Sequence, residues 1–225
     1  MKRFALIIFT GIAIGLFSSP LAMADSPLTS TYFGEAYVGQ NGFPSIKKGD
    51  NLALFKYLSD QSVPVDYRLA AINLDGWDIN GKHRAERFKT FLELQNGVNG
   101  MGEILTYCPP EILICYAYLK AMDDYFHVDE SIAIAGKAYM DKPSSNTIFL
   151  IYTLLWAQKL LNNEEDWGTV YVWTNLARLA KDQMEDHMLP EAEKDIFDYI
   201  DEYKDFKEDL LGEEYTYKKL KNNNR

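Results

Sequence analysis

The stretch Ile148-Phe-Leu-Ile-Tyr-Thr-Leu-Leu-Trp156 decides the fold. It holds no charged residue, glycine or proline, and a helix drawn through it is apolar on every side. Such a helix has no face to give to water and belongs in an interior. Ser144-Ser145 precede it, and a serine hydroxyl is a good acceptor for the unpaired amides of a first helical turn. The pattern predicts a buried helix over 145–162.

Working outward, 110–126 and 129–142 before it, and 166–184 and 190–209 after it, have helical apolar spacing. Short polar or proline-containing breaks separate them, and Pro190 suits a first helical position. Trp173, Leu176, Ala177, Ala180 and Met184 form one apolar stripe, and Ile196, Ile200 and Tyr203 form another. Toward the N-terminus, Asp50 caps a short helix carrying Leu52, Leu54, Phe55, Tyr57 and Leu58. Pro64 opens a second helix that Asp75-Gly76 ends, and a third covers about 82–95. Asn96 to Gly102 contains three glycines and reads as a mobile loop. Residues 25–48 are irregular, with one short helix around Tyr32–Val38. The expectation is an all-α domain over 25–210: a compact bundle or stack of hairpins, about eight helices in all, wrapped around the 145–162 helix.

The two ends read differently. Lys2 and Arg3 lead into an apolar run from Phe4 to Phe17, and Ala22-Met23-Ala24 has the small-x-small pattern of a signal-peptidase site. That run is too short for the ~20 residues that span a bilayer. Residues 1–24 are therefore expected to be a cleaved signal peptide, the destination periplasmic or secreted, and the remainder without a membrane span. Leu211 to Arg225, with Lys218, Lys219, Lys221 and three asparagines, reads as a frayed basic tail.

Charge narrows the partners. The whole chain has 23 Lys and Arg against 33 Asp and Glu. The leader takes two of the cations and no acid, so the net charge moves from −10 to −12 on its removal. A surface that acidic repels phosphate backbones and anionic headgroups. Nucleic acid is an unsuitable partner, and a basic protein is a natural one. The 15 Tyr, 12 Phe and 4 Trp exclude a disordered polymer. Tyr32, Tyr215 and Tyr217 fall outside the confident helices and are expected to be exposed.

Cys108 and Cys115 leave two alternatives. An even cysteine count in an exported chain suits a disulfide. With Pro110 as the first residue of a helix, however, Cys115 lies more than a turn inside it, at a rise of about 7.5 Å, where a bridge needs Cα atoms within about 7 Å. The loop before Pro109 would have to fold back, or Cys115 is a buried thiol. The spacing is not that of a zinc or redox motif.

Three constellations have the residue types of a site. Asp182, Glu185 and Asp186 would share one face if the helix ran through them, with His187 directly after. Together they could steer a basic partner or, as Glu185 with His187, supply an acid and base. His127 with Asp129, Glu130 and Ser131 has the components of a triad, although Asp129 has a sufficient role as a helix N-cap. Asp78, Asn80 and Gly81 match part of a calcium loop, but Gly76 and Arg87 stand where ligands are required. They make better sense as a turn with Trp77 folded into the core. Leu119, Met122, Phe126, Ala135 and Tyr139 match tetratricopeptide packing offsets, yet Asp123 and Lys142 stand where small residues belong, and no second copy follows at about 34 residues.

No cofactor or metal is implied by these patterns. The expectation is an exported helical protein that works by binding a basic protein, in concrete form a periplasmic inhibitor or immunity protein. The alternatives are an exported hydrolase with an acid–histidine site, marked by a deep pocket, and a helical-repeat scaffold.

Overall fold

The computed structural model describes residues 26–77, 83–163 and 167–205. The expected signal peptide, the calcium-loop residues Asp78, Asn80 and Gly81, and the basic tail with Tyr215 and Tyr217 lie outside them.

The described chain is all-helical. A 3-10 turn, Phe33–Tyr37, leads into α1 (Asn51–Ser59), α2 (Val65–Asp75), α3 (Arg84–Asn96), α4 (Gly100–Tyr107), α5 (Pro110–Asp123), α6 (Asp129–Asp141), α7 (Asn146–Asn162) and α8 (Trp167–Ala180). A second 3-10 turn, Lys181–Gln183, precedes α9 (Pro190–Asp201). The local causes are those of the sequence. The Asp50 carboxylate accepts from the Ala53 amide at 3.1 Å, and Ser145 Oγ accepts from the Ile148 amide at 3.1 Å, each closing a first turn. Gly76 ends α2 at φ +80°, a conformation only glycine takes without strain.

Helices α5, α6, α7 and α8 pack each against the next, as antiparallel hairpins do. The helix at 145–162 is buried through Ile148, Leu150, Ile151, Leu154, Leu155 and Ala157, against α6, α8 and α5. It shares the centre with α5, which has an unbroken buried run from Ile112 to Leu119 and touches α1, α2, α3, α6 and α7.

Several boundaries differ from the sequence expectation, each for a visible reason. The glycine-rich stretch is a loop only over 97–99, and then becomes α4. Glu103 accepts the Asn99 amide at 2.6 Å, Glu93 accepts the Gly100 amide at 3.0 Å, and Ile104 is fully buried beneath. These caps and that anchor outweigh the low propensity of two glycines. The N-cap of α6 is Val128, not Asp129, which is the first helical residue and pairs with Lys159. Trp77 is 37% exposed, set edge-on to Tyr125, rather than folded into the core. In α8 the buried residues are Val170, Tyr171, Thr174 and Ala177, whereas Trp173 and Leu176, expected to face inward, are each 38% exposed. The sequence stripe mixed two faces of one helix.

Candidate functional site

Residues 184–189 do not continue a helix. After the 3-10 turn, Met184 is extended and the segment lies across the N-terminus of α7. The Asn146 amide donates to the Glu185 carbonyl at 2.9 Å, and the Thr147 amide to the Asp186 carbonyl at 3.2 Å. Thr147 Oγ1 donates to the same carbonyl at 2.7 Å, and Ser145 Oγ donates to Asp186 Oδ1 at 2.7 Å. The first amides of the central helix are thus satisfied by this strap. Asp186 takes φ +40° to make the turn. Asp182, Glu185 and Asp186 therefore share no helix face. Asp182, Glu185 and His187 are exposed along a strap whose backbone serves as a cap.

The other histidine constellation lies in an open groove of about 430 Å³ where the ends of α3, α5 and α6 meet. His83, Glu86, Lys120, Asp123, Asp124, His127, Asp129 and Glu130 line it, so five carboxylates face one lysine. Lys120 sits between Glu130 at 3.0 Å and Glu86 at 3.6 Å. His127 Nδ1 is 2.8 Å from Asp124 Oδ2, in full solvent, with the imidazole 84% exposed. Behind the groove, Arg84 is wholly buried and bonds both Asp75 and Asp123, which fixes the floor. The triad components do not assemble here. His127 is oriented by Asp124, Asp129 is held by Lys159, and Ser131 is fully buried with a hydroxyl that has no partner among the described residues.

A second crevice, about 340 Å³, went unnoticed in the sequence because its residues come from four distant places. Asp66 and Arg68 are on α2, Glu111 on α5, Lys142 follows α6, and Asp186 is on the strap. Lys142 bridges Glu111 at 2.9 Å and Asp186 at 3.1 Å. Burial alone would raise the Glu111 carboxyl, but the Lys142 ammonium and nearby amide and guanidinium groups hold it below its usual range. Asp66 differs: burial pushes its carboxyl up even though Tyr37 OH donates to it at 2.9 Å. The Leu189 amide donates to the same Tyr37 oxygen at 3.0 Å. Arg68 is 2% exposed and donates to the Leu58 carbonyl at 3.2 Å, and its Nε has no partner among the described residues. The mixed-sign closure of this crevice makes it a joint between α2, α5 and the strap.

Cys108 and Cys115 are both free and buried. Burial pushes the Cys115 thiol up to about 12, and also raises Cys108, whose sulfur accepts weakly from Asn96 Nδ2 at 3.8 Å.

Among the described residues no group of three His, Cys, Asp or Glu is placed to hold a metal ion, and no helix is long and apolar enough to cross a membrane. The groove residues Glu86, Lys120 and His83 carried no sequence signal of their own. Only the adjacency of His127 to two carboxylates, Asp129 and Glu130, and to Ser131 pointed to this place. No family model, curated protein or solved structure matches the chain.

Proposed function

We propose that this chain is exported and acts by binding a basic protein or peptide, as an inhibitor or immunity protein does, with the groove between α3, α5 and α6 as the contact. The observation that carries this reading is the groove itself. Five carboxylates gather on a firm floor, and the four at its rim keep half or more of their side-chain surface in water: 50% for Asp124, 57% for Glu130, 59% for Glu86 and 78% for Asp129. Exposed carboxylates in an open concavity steer a cationic partner and set its register. A triad-type hydrolytic centre asks instead for a nucleophile touching its base out of water, whereas His127 stands 84% exposed with Asp124 as its partner.

The test is a capture experiment with residues 25–225 against the cell-envelope and secreted fractions, at low and high salt, run in parallel with an Asp124→Asn/Asp129→Asn/Glu130→Gln variant. One basic protein retained by the native chain at low salt, released by salt and missed by the variant is the expected result. Equal retention by both chains, or a salt-indifferent partner, overturns the reading.

A further inference from the structure

Helix α8 has two apolar faces where a surface helix has one. Val170, Tyr171, Thr174 and Ala177 are buried in the bundle. On the other side Val172, Trp173, Leu176 and Leu179 stand 45%, 38%, 38% and 70% exposed. Four large apolar side chains on consecutive turns of one outward face form a patch rather than scattered exceptions. Tryptophan is also the residue most enriched among binding hot spots.

This patch is joined to the acidic groove by one lysine. Lys159 on α7 pairs with Asp129 at the groove rim, and its ammonium lies 5.4 Å from the centre of the Trp156 ring. Trp156 in turn stacks on Trp173, with ring centres 5.8 Å apart and planes 15° from parallel. Carboxylates, cation, indole pair and leucines therefore form one continuous strip from α3 across α7 to α8. Its charge complement is a segment that is cationic at one end or along one side, and its apolar complement is a leucine-like ridge beside those cations.

We propose that the partner presents a basic amphipathic segment, with its cations in the groove at Asp124, Asp129 and Glu130 and its apolar face on Trp156, Trp173, Leu176 and Leu179. This rests on the groove being the contact and adds where the apolar anchor goes. Electrostatics from the groove sets encounter, and burial of the indole pair sets residence.

Two tryptophan-free synthetic peptides of equal positive charge serve as probes: one of leucine and lysine at helical spacing, one of lysine with serine replacing each leucine. Residues 25–225 are titrated with each, following tryptophan emission and heat. The leucine–lysine peptide is expected to bind at least about ten-fold more tightly and to shift the emission to shorter wavelength. Leu176→Ser/Leu179→Ser, at positions that contribute little to the core, is expected to bring it to the level of the lysine–serine peptide with an unchanged melting curve. Asp124→Asn/Asp129→Asn is expected to weaken both peptides, and Glu35→Gln, on the first 3-10 turn, neither. If the two peptides bind equally and Leu176→Ser/Leu179→Ser changes nothing, the apolar anchor is wrong and the groove reading survives. If neither peptide binds at low salt, both fall. A concentration-dependent dimer in sedimentation that Leu179→Ser dissolves makes a second copy of this chain the occupant, and overturns the inference.

Discussion

Arg84 Nε donates to Asp123 Oδ1 at 2.8 Å, while the other oxygen of the same carboxylate accepts the Ala85 amide at 2.8 Å. One carboxylate on α5 thus neutralises the buried cation of α3 and also caps that helix, with Asp75 from the end of α2 closing the other side of the guanidinium. Three helices meet at one charge. Arg84→Met leaves two carboxylates, 7% and 13% exposed, without a counter-ion. The expected loss is about 3–5 kcal/mol of unfolding free energy, by analogy with other broken buried pairs, read from a urea midpoint. A loss under ~1 kcal/mol would mean that the network is solvent-relaxed.

Arg68 gives the opposite expectation. Among the described residues no carboxylate lies within ion-pairing distance of its guanidinium, and its Nε is orphaned. A buried charge so poorly matched costs more desolvation than it recovers. Arg68→Met should leave the urea midpoint unchanged or raise it. A fall as large as that for Arg84→Met would show that Arg68 holds its neighbours electrostatically.

Gly34 is a point of closest approach. A Cβ built there would lie 2.7 Å from the Ala70 carbonyl oxygen and 2.8 Å from Leu74 Cγ. The first 3-10 turn can lie flat on α2 only because this atom is missing, and the Gly34 amide uses the proximity to bond Asn73 Oδ1 at 2.9 Å. Gly34→Ala is expected to cost about 1–3 kcal/mol, the usual penalty of overpacking. An unaltered melting curve would indicate a looser fit.

Asp66 makes stability depend on pH in an unusual direction. Its folded carboxyl titrates above the ordinary value because of burial. The folded state therefore holds the proton longer than the unfolded one, and stability falls as pH rises through the interval between the two values. Below about 3.9 the group is protonated in both states and contributes nothing; above the folded value its penalty is complete. Asp66→Asn, which keeps an acceptor for Tyr37, should raise the urea midpoint at pH 7 and leave it unchanged at pH 3. A lower midpoint at pH 7 would contradict this sign.

The thiols should be silent in the folded protein. Thiolate is the reactive form, and burial holds both cysteines away from it. Alkylation at pH 8 is expected to be negligible for Cys115 and slow for Cys108, and both should react on unfolding without a reductant. A protein whose mass reports no free thiol after unfolding would instead carry a bridge.

Most helices were legible because they advertise themselves locally: Asp50 and Ser145 are caps, Pro110 and Pro190 are first residues, Gly76 is a stop. Boundaries set by distant partners were not. The end of α8 at Ala180 depends on residues 184–189 finding the amides of Asn146 and Thr147, more than 30 residues away in sequence. Helix α4 depends on Glu93 reaching across a loop. The groove was half legible through His127 and Asp129, but Glu86 and Lys120 join it only when α3 and α5 pack. Trp173 and Leu176 misled for a physical reason, since an exposed apolar face and a core face of one helix have the same composition and spacing.

The bond from the Leu189 amide to Tyr37 OH links positions 152 residues apart, and α9 lies directly on the first 3-10 turn. A row of hairpins joined only to their neighbours can fray from either end, one unit at a time. Here α9 clasps the first 3-10 turn, so among the described residues the row is closed into a ring of contacts. Loosening at Phe33 should then be felt at Ile196, and the protein should melt as one unit rather than unzip.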